Sequence, residues 1–109
     1  MDSTGAQIVL ITAPSLDVAK MLGQELVEQK LAACVNITAP ILSIYSWKGE
    51  IQQDEEVLLV VKTRAELVET ALIPAVKAIH PYEVPEIIAL NIQAGLKDYL
   101  DWILFETER

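Results

Sequence analysis

Ile41-Leu42-Ser43-Ile44-Tyr45-Ser46-Trp47-Lys48-Gly49-Glu50-Ile51 reads as one arm of a β-hairpin, its turn and the first residue of the returning arm. Ile41, Ser43, Tyr45 and Trp47 alternate with Leu42, Ile44 and Ser46, and a pleated strand sends such alternating residues to opposite faces. Lys48-Gly49-Glu50 is the turn, with Gly49 free to take a positive φ. Before the hairpin, residues 31–47 read as one long extended segment. Pro40 removes a ladder donor from it and so belongs at a bulge or an edge. After the turn, residues 51–63 return as a strand. Its end, Val57-Leu58-Leu59-Val60-Val61, is apolar on both faces, which places it centrally in a sheet.

Residues 7–13 form a short apolar, β-branched strand. Pro14-Ser15 then opens a helix with Ser15 as N-cap. Ala19, Leu22, Leu26 and Leu31 recur along it at helical spacing or one residue beyond. Thr63-Arg64-Ala65-Glu66 has the form of a capping box, so a second helix starts there and runs to about Ile79. Val68, Leu72, Val76 and Ile79 share its inner face, and Pro74 should kink it. Residues 87–92 read as a buried strand. Leu96, Tyr99, Leu100 and Ile103 fit i, i+3, i+4, i+7 of a final helix.

The order β-α-β-β-α-β plus a terminal helix is an α+β, ferredoxin-like arrangement in a single domain spanning residues 1–109. Its middle hairpin is long. About 16 residues at roughly 3.3 Å each reach about 50 Å if unbroken. A domain of this size has a radius of gyration of only about 13 Å. Either the strand breaks near Pro40 or the hairpin overhangs. An overhanging apolar hairpin needs a partner, so an obligate homo-oligomer is expected.

Composition narrows the function. Sixteen acidic residues against eight basic give a net charge of −8, which argues against nucleic acid and anionic membranes. No apolar run approaches the roughly 18 residues of a membrane span. Met1-Asp2-Ser3-Thr4-Gly5 has no basic residue ahead of an apolar stretch, so no leader is expected. Cys34 is the only cysteine, too few for an internal disulfide or a thiolate zinc centre. No glycine-rich phosphate loop and no catalytic triad are evident, so an enzyme is not expected.

Chemistry concentrates in His80-Pro81-Tyr82-Glu83-Val84-Pro85-Glu86, which holds the only histidine on a connector stiffened by two prolines. His80 could be a metal ligand, a proton donor or a helix-end capping residue. Glu83 and Glu86, three apart, would point to opposite faces if extended, and surface charge or a salt bridge is the plain alternative. Cys34 is either a small core hydrophobe or a thiol activated by Lys62 on the paired strand. Tyr45, Trp47, Tyr82 and Trp102 either line a cleft between subunits or pack an interface.

Five stretches together resemble the CutA family, associated with divalent-cation tolerance, over nearly the whole chain. They are Leu31-Ala32-Ala33-Cys34-Val35-Asn36-Ile37, Ser43 to Ile51 of the hairpin, Leu59-Val60-Val61-Lys62-Thr63, His80 to Ile87, and Tyr99-Leu100-Asp101-Trp102-Ile103. The resemblance implies a cytoplasmic homotrimer whose long hairpins pair with neighbouring sheets and whose shape is like that of PII signalling proteins. It also implies a link to copper and other divalent cations such as zinc. On that basis Cys34, Tyr45, Trp47, Lys62, Tyr82, Glu83, Glu86 and Trp102 are the expected cleft residues, and His80 the expected metal ligand. In some relatives copper is assigned to a Cys late in the first strand and to paired His before the Pro-Tyr motif. Ile11 and Ile79 occupy two of those positions here, leaving His80 alone. The alternative is a PII-like signalling or scaffold trimer that acts through protein partners and has no metal role.

Overall fold

Strand β4 (Glu50–Arg64) is the spine of the sheet, because its 15 residues pair with three other strands. The computed structural model describes residues 4–109. Part of the segment on which the leader expectation rests lies outside the described residues. The remaining elements are β1 (Ala6–Ala13), α1 (Leu16–Glu28), β2 (Cys34–Ile37), β3 (Ile41–Trp47), α2 (Ala65–Leu67), a π-helical stretch (Val68–Leu72), α3 (Ile73–Ile79), β5 (Ile87–Asn91) and α4 (Lys97–Glu106). The strand order is β2-β4-β1-β5, with β3 also on β4, and every pairing is antiparallel. The fold is mixed α+β.

The long segment does break at Pro40. Ile37 pairs with Leu59 and Ile41 with Glu56, so Thr38, Ala39 and Pro40 oppose only Val57 and Leu58. One extra residue is a β-bulge, which bends the strand and resets its alternation. Thr38 holds the break together: its N–H donates to the Leu58 carbonyl at 2.9 Å, and its Oγ1 accepts the Leu58 N–H at 3.0 Å. Beyond the bulge the β3–β4 hairpin extends from the body, and the molecule measures 43 × 29 × 26 Å. Trp47 pairs with Glu50 across a two-residue turn, Lys48 at φ 51° and Gly49 at φ 82°. Two positive φ values match the right-handed strand twist of a type I′ turn.

The core lies between one sheet face and the helices. Val9, Ile11 and Ala13 of β1 stand opposite Val61, Leu59 and Val57 of β4. Ala19, Leu22, Leu26, Leu72 and Val76 cover them. Ser15 caps α1 by accepting the Val18 N–H at 3.2 Å. Gly23 lets α1 approach β2 closely, since a Cβ there would lie 3.2 Å from Val35.

Several local expectations are corrected or refined. Leu31 is buried but off the helix: Lys30 turns the chain at φ 60°, and the Leu31 N–H reaches back to the Leu26 carbonyl. Thr63 is no cap. It belongs to β4, faces inward and donates its hydroxyl to the Leu31 carbonyl at 2.7 Å, while Arg64 occupies the N-cap without a side-chain bond. Pro74 is accommodated by the π-helical stretch just ahead of it, and Ile79 falls off the inner face, 38% exposed. β5 is an edge strand rather than a buried one. Among the described residues it pairs only with β1, and Ile88 and Leu90 are 53% and 50% exposed. In α4, Leu96 is an exposed N-cap and only Ile103 is fully buried.

Candidate functional site

The hairpin and the 81–86 connector face each other across a cleft of about 660 Å³. The hairpin wall follows from register. Directly opposed residues in a sheet share a face. Ile41, Ser43 and Tyr45 oppose Glu56, Asp54 and Gln52, so Tyr45, Trp47, Asp54 and Glu56 lie on one side of the hairpin. The other wall carries Tyr82, Glu83 and Glu86.

His80 anchors that second wall from behind. It is the C-cap of α3, and Pro81 holds it extended at φ −75°, ψ 135°. Its Nε2 lies 2.8 Å from the Thr12 carbonyl oxygen, and its Nδ1 accepts the Tyr82 N–H at 3.1 Å. A carbonyl can only accept and an N–H can only donate, so the ring is the neutral Nε2–H tautomer. His80 is only 7% exposed, and neither ring nitrogen is free. The Tyr82 ring lies 4.8 Å from the imidazole, and its hydroxyl donates to Glu56 Oε2 at 2.7 Å. A continuous chain of bonds therefore links β1, the connector and β4.

Burial, and next the hydrogen bond to Glu56, hold the Tyr82 phenol well above its ordinary pKa. Tyr45 donates its hydroxyl to Asp54, and that bond first, then desolvation, raises the Tyr45 phenol as well. Lys77 steadies the connector by donating to the Glu83 carbonyl at 2.7 Å.

The expected site residues separate into two groups. Tyr45, Trp47, Tyr82, Glu83 and Glu86 do line one cleft. Glu83 and Glu86 both reach it because the chain bends through Pro81 to Val84 instead of staying extended. Cys34, Lys62 and Trp102 lie elsewhere. Cys34 and Lys62 are cross-strand partners that share Asn36: Lys62 donates to its Oδ1, and the Cys34 Sγ lies 3.9 Å from it. Tyr99 reaches Cys34 from α4, and its ring packs tilted against Trp102 with centroids 5.5 Å apart. Asp54 and Glu56 escaped the reading of the sequence. Counting back from a two-residue turn would have placed both on the same face of the hairpin as Tyr45.

An antiparallel sheet, a projecting hairpin and an acid- and aromatic-lined cleft define a small α+β protein of distinctive outline. The profile of the CutA1 divalent ion tolerance protein family matches residues 7–106. The divalent-cation tolerance protein CutA of Thermus thermophilus is 52% identical over 97 residues, covering 89% of this chain and 93% of the relative. Protein CutA of Homo sapiens is 48% identical over 98 residues, 90% of this chain and 54% of that longer protein. The solved Thermus thermophilus structure superposes with a TM-score of 0.91 at 50% identity, covering 94% of this chain and 99% of that one. The structure described as the periplasmic divalent cation tolerance protein CutA of Archaeoglobus fulgidus gives 0.91 at 45% identity over the same shares. The chain belongs to the CutA1 divalent ion tolerance family.

Proposed function

We propose that this chain works as a cytoplasmic homotrimer of ferredoxin-like subunits in the response to divalent cations, copper and zinc among them. A cation or small ligand is held in the cleft, where a neighbouring subunit completes the wall. The role is binding rather than catalysis. The observation that carries this reading is the cleft lining. Asp54, Glu56, Glu83 and Glu86 face it, and among the described residues no Lys or Arg does. Strand order β2-β4-β1-β5 and the broken hairpin support the ferredoxin-like assignment. The exposed apolar edge of β5 and the projecting hairpin support assembly. No described helix is long and apolar enough to cross a membrane.

Copper centred on His80 does not fit these residues. Both ring nitrogens are engaged, and Ile11 and Ile79 offer no donor. Among the described residues no three of His, Cys, Asp and Glu are grouped to hold a metal ion. A divalent cation would instead meet the hairpin and connector carboxylates, with further ligands from a second subunit. Calorimetric titration with zinc and copper tests this. Saturable binding that falls in Glu56→Gln supports the proposal, and negligible heats for the unsubstituted protein exclude a metal role for the cleft.

A further inference from the structure

We propose that the cleft is a receptor for an organic ammonium group, and that Glu56 anchors it. The inference rests on the reading of the cleft as a cation site and assigns the chemical class of the cation.

Glu56 is the first observation. It is only 7% exposed, and its one side-chain hydrogen bond among the described residues is the Tyr82 hydroxyl on Oε2. Neither described ion pair includes it. Among the described residues no fully buried side-chain oxygen or nitrogen lacks a partner. Its Oε1, which has none, is therefore not fully buried, and Glu56 lines the cavity. Tyr82 holds one oxygen of the carboxylate, and the other is left as an acceptor that a cation in the cleft can meet.

The walls select the kind of cation. Tyr45, Trp47 and Tyr82 line the cleft along with the carboxylates. Aromatic faces attract ammonium groups through the ring quadrupole but contribute no ligand to a bare divalent metal ion. Trp47 already has such a neighbour: the Lys48 ammonium lies 5.8 Å from its ring centroid. A metal ion demands several donors converging on one point, and no described group of three does so. An ammonium needs only one to three acceptors, which Glu56 Oε1 and Asp54 supply. The volume, about 660 Å³, is that of a small-molecule site rather than an ion site. Carboxylates on both walls, Asp54 and Glu56 against Glu83 and Glu86, suit an aliphatic amine with more than one charged nitrogen.

The test is calorimetric titration of the full chain with spermidine in about 0.15 M salt, where contacts between exposed charges are screened. The expected result is saturable binding, weakened about tenfold or more in Glu56→Gln and in Trp47→Leu. Glu28→Gln, an exposed carboxylate on α1, should leave it unchanged. Glutamine keeps an acceptor for Tyr82, and matching thermal midpoints check that the fold persists. Absence of saturable binding overturns the proposal. So does equal weakening by Glu28→Gln, which would mean attraction to net charge alone. Parallel zinc titrations separate the two readings. Zinc binding without spermidine binding sinks the amine site and leaves the cation cleft standing. Spermidine binding without zinc binding removes the metal and keeps the amine.

Discussion

At the scale of residues, the bonds from Thr12 through His80 and Tyr82 to Glu56 set the height of one cleft wall above the hairpin. Each link uses a group that would be costly to bury unpaired, so the links support one another. The Tyr82 phenol carries a pH prediction. Burial and the Glu56 bond favour its neutral form, raising the folded pKa above the ordinary value of 10.0. The stabilisation is present in full below that ordinary value and is lost as pH rises from it toward the folded one. Unfolding by urea should therefore become easier on the alkaline side, and Tyr82→Phe should flatten that loss. At neutral pH the same substitution should cost about 1.5–3 kcal/mol, the worth of a hydrogen bond to a charged group, because Glu56 loses its one described partner. An alkaline loss identical in both proteins would contradict the assignment. His80 and Tyr82 were legible because rare residue types on either side of a proline stand out. Glu56 was not, since it looks like any other acid in a run of acids until strand register aims it inward.

At the scale of elements, regular structure followed from local chemistry wherever local and tertiary preferences agreed. The Ser15 cap, the Pro40 bulge and the glycine turn are all of this kind. Thr63 shows the opposite case. Its spacing to Glu66 imitates a capping box, but the period of β4 turns its side chain into the core, and a buried carbonyl takes the hydroxyl. Leu31 likewise keeps its burial while leaving the helix, because the left-handed Lys30 folds it back. The hairpin turn offers a clean test of backbone cost. Gly49 sits at φ 82° with nothing within 4 Å of an added Cβ. Gly49→Ala meets no steric neighbour, so its whole effect is the left-handed backbone penalty, about 1–2 kcal/mol. Lys48→Asn at φ 51° should stabilise by a few tenths of a kcal/mol, since Asn tolerates that region better. Denaturant melts of the two variants should move in opposite directions. A shared direction would mean that the turn deforms instead of holding type I′ geometry.

At the scale of the whole molecule, the exposed apolar residues are not scattered. Ile88 and Leu90 lie on β5, whose outer edge has no strand beside it among the described residues, and Leu42, Ile44 and Ile51 lie on the projecting hairpin. Ile8 pairs with Leu90 and Leu10 with Ile88, so the sheet face away from α1 is apolar across two strands. A monomer would leave that face and an unpaired strand edge in water, a combination that invites pairing with another chain. The proposed assembly would account for an excess of hydrophobic residues, 52%, alongside so open a sheet. It would also account for the buried look of β5 in the sequence, whose residues suit a covered surface that one chain alone does not provide. If three chains cover one another there, dissociation must accompany unfolding, and the thermal midpoint must rise with protein concentration. Light scattering should give three times the chain mass. Leu90→Lys, which places a charge in the middle of the uncovered face, should lower that mass and remove the concentration dependence while leaving the core of β1, β4 and α1 folded. A monomeric mass for the unsubstituted protein, with a midpoint that does not move over a hundredfold dilution, would mean that these edges are tolerated alone and that the cleft has a single chain for its walls.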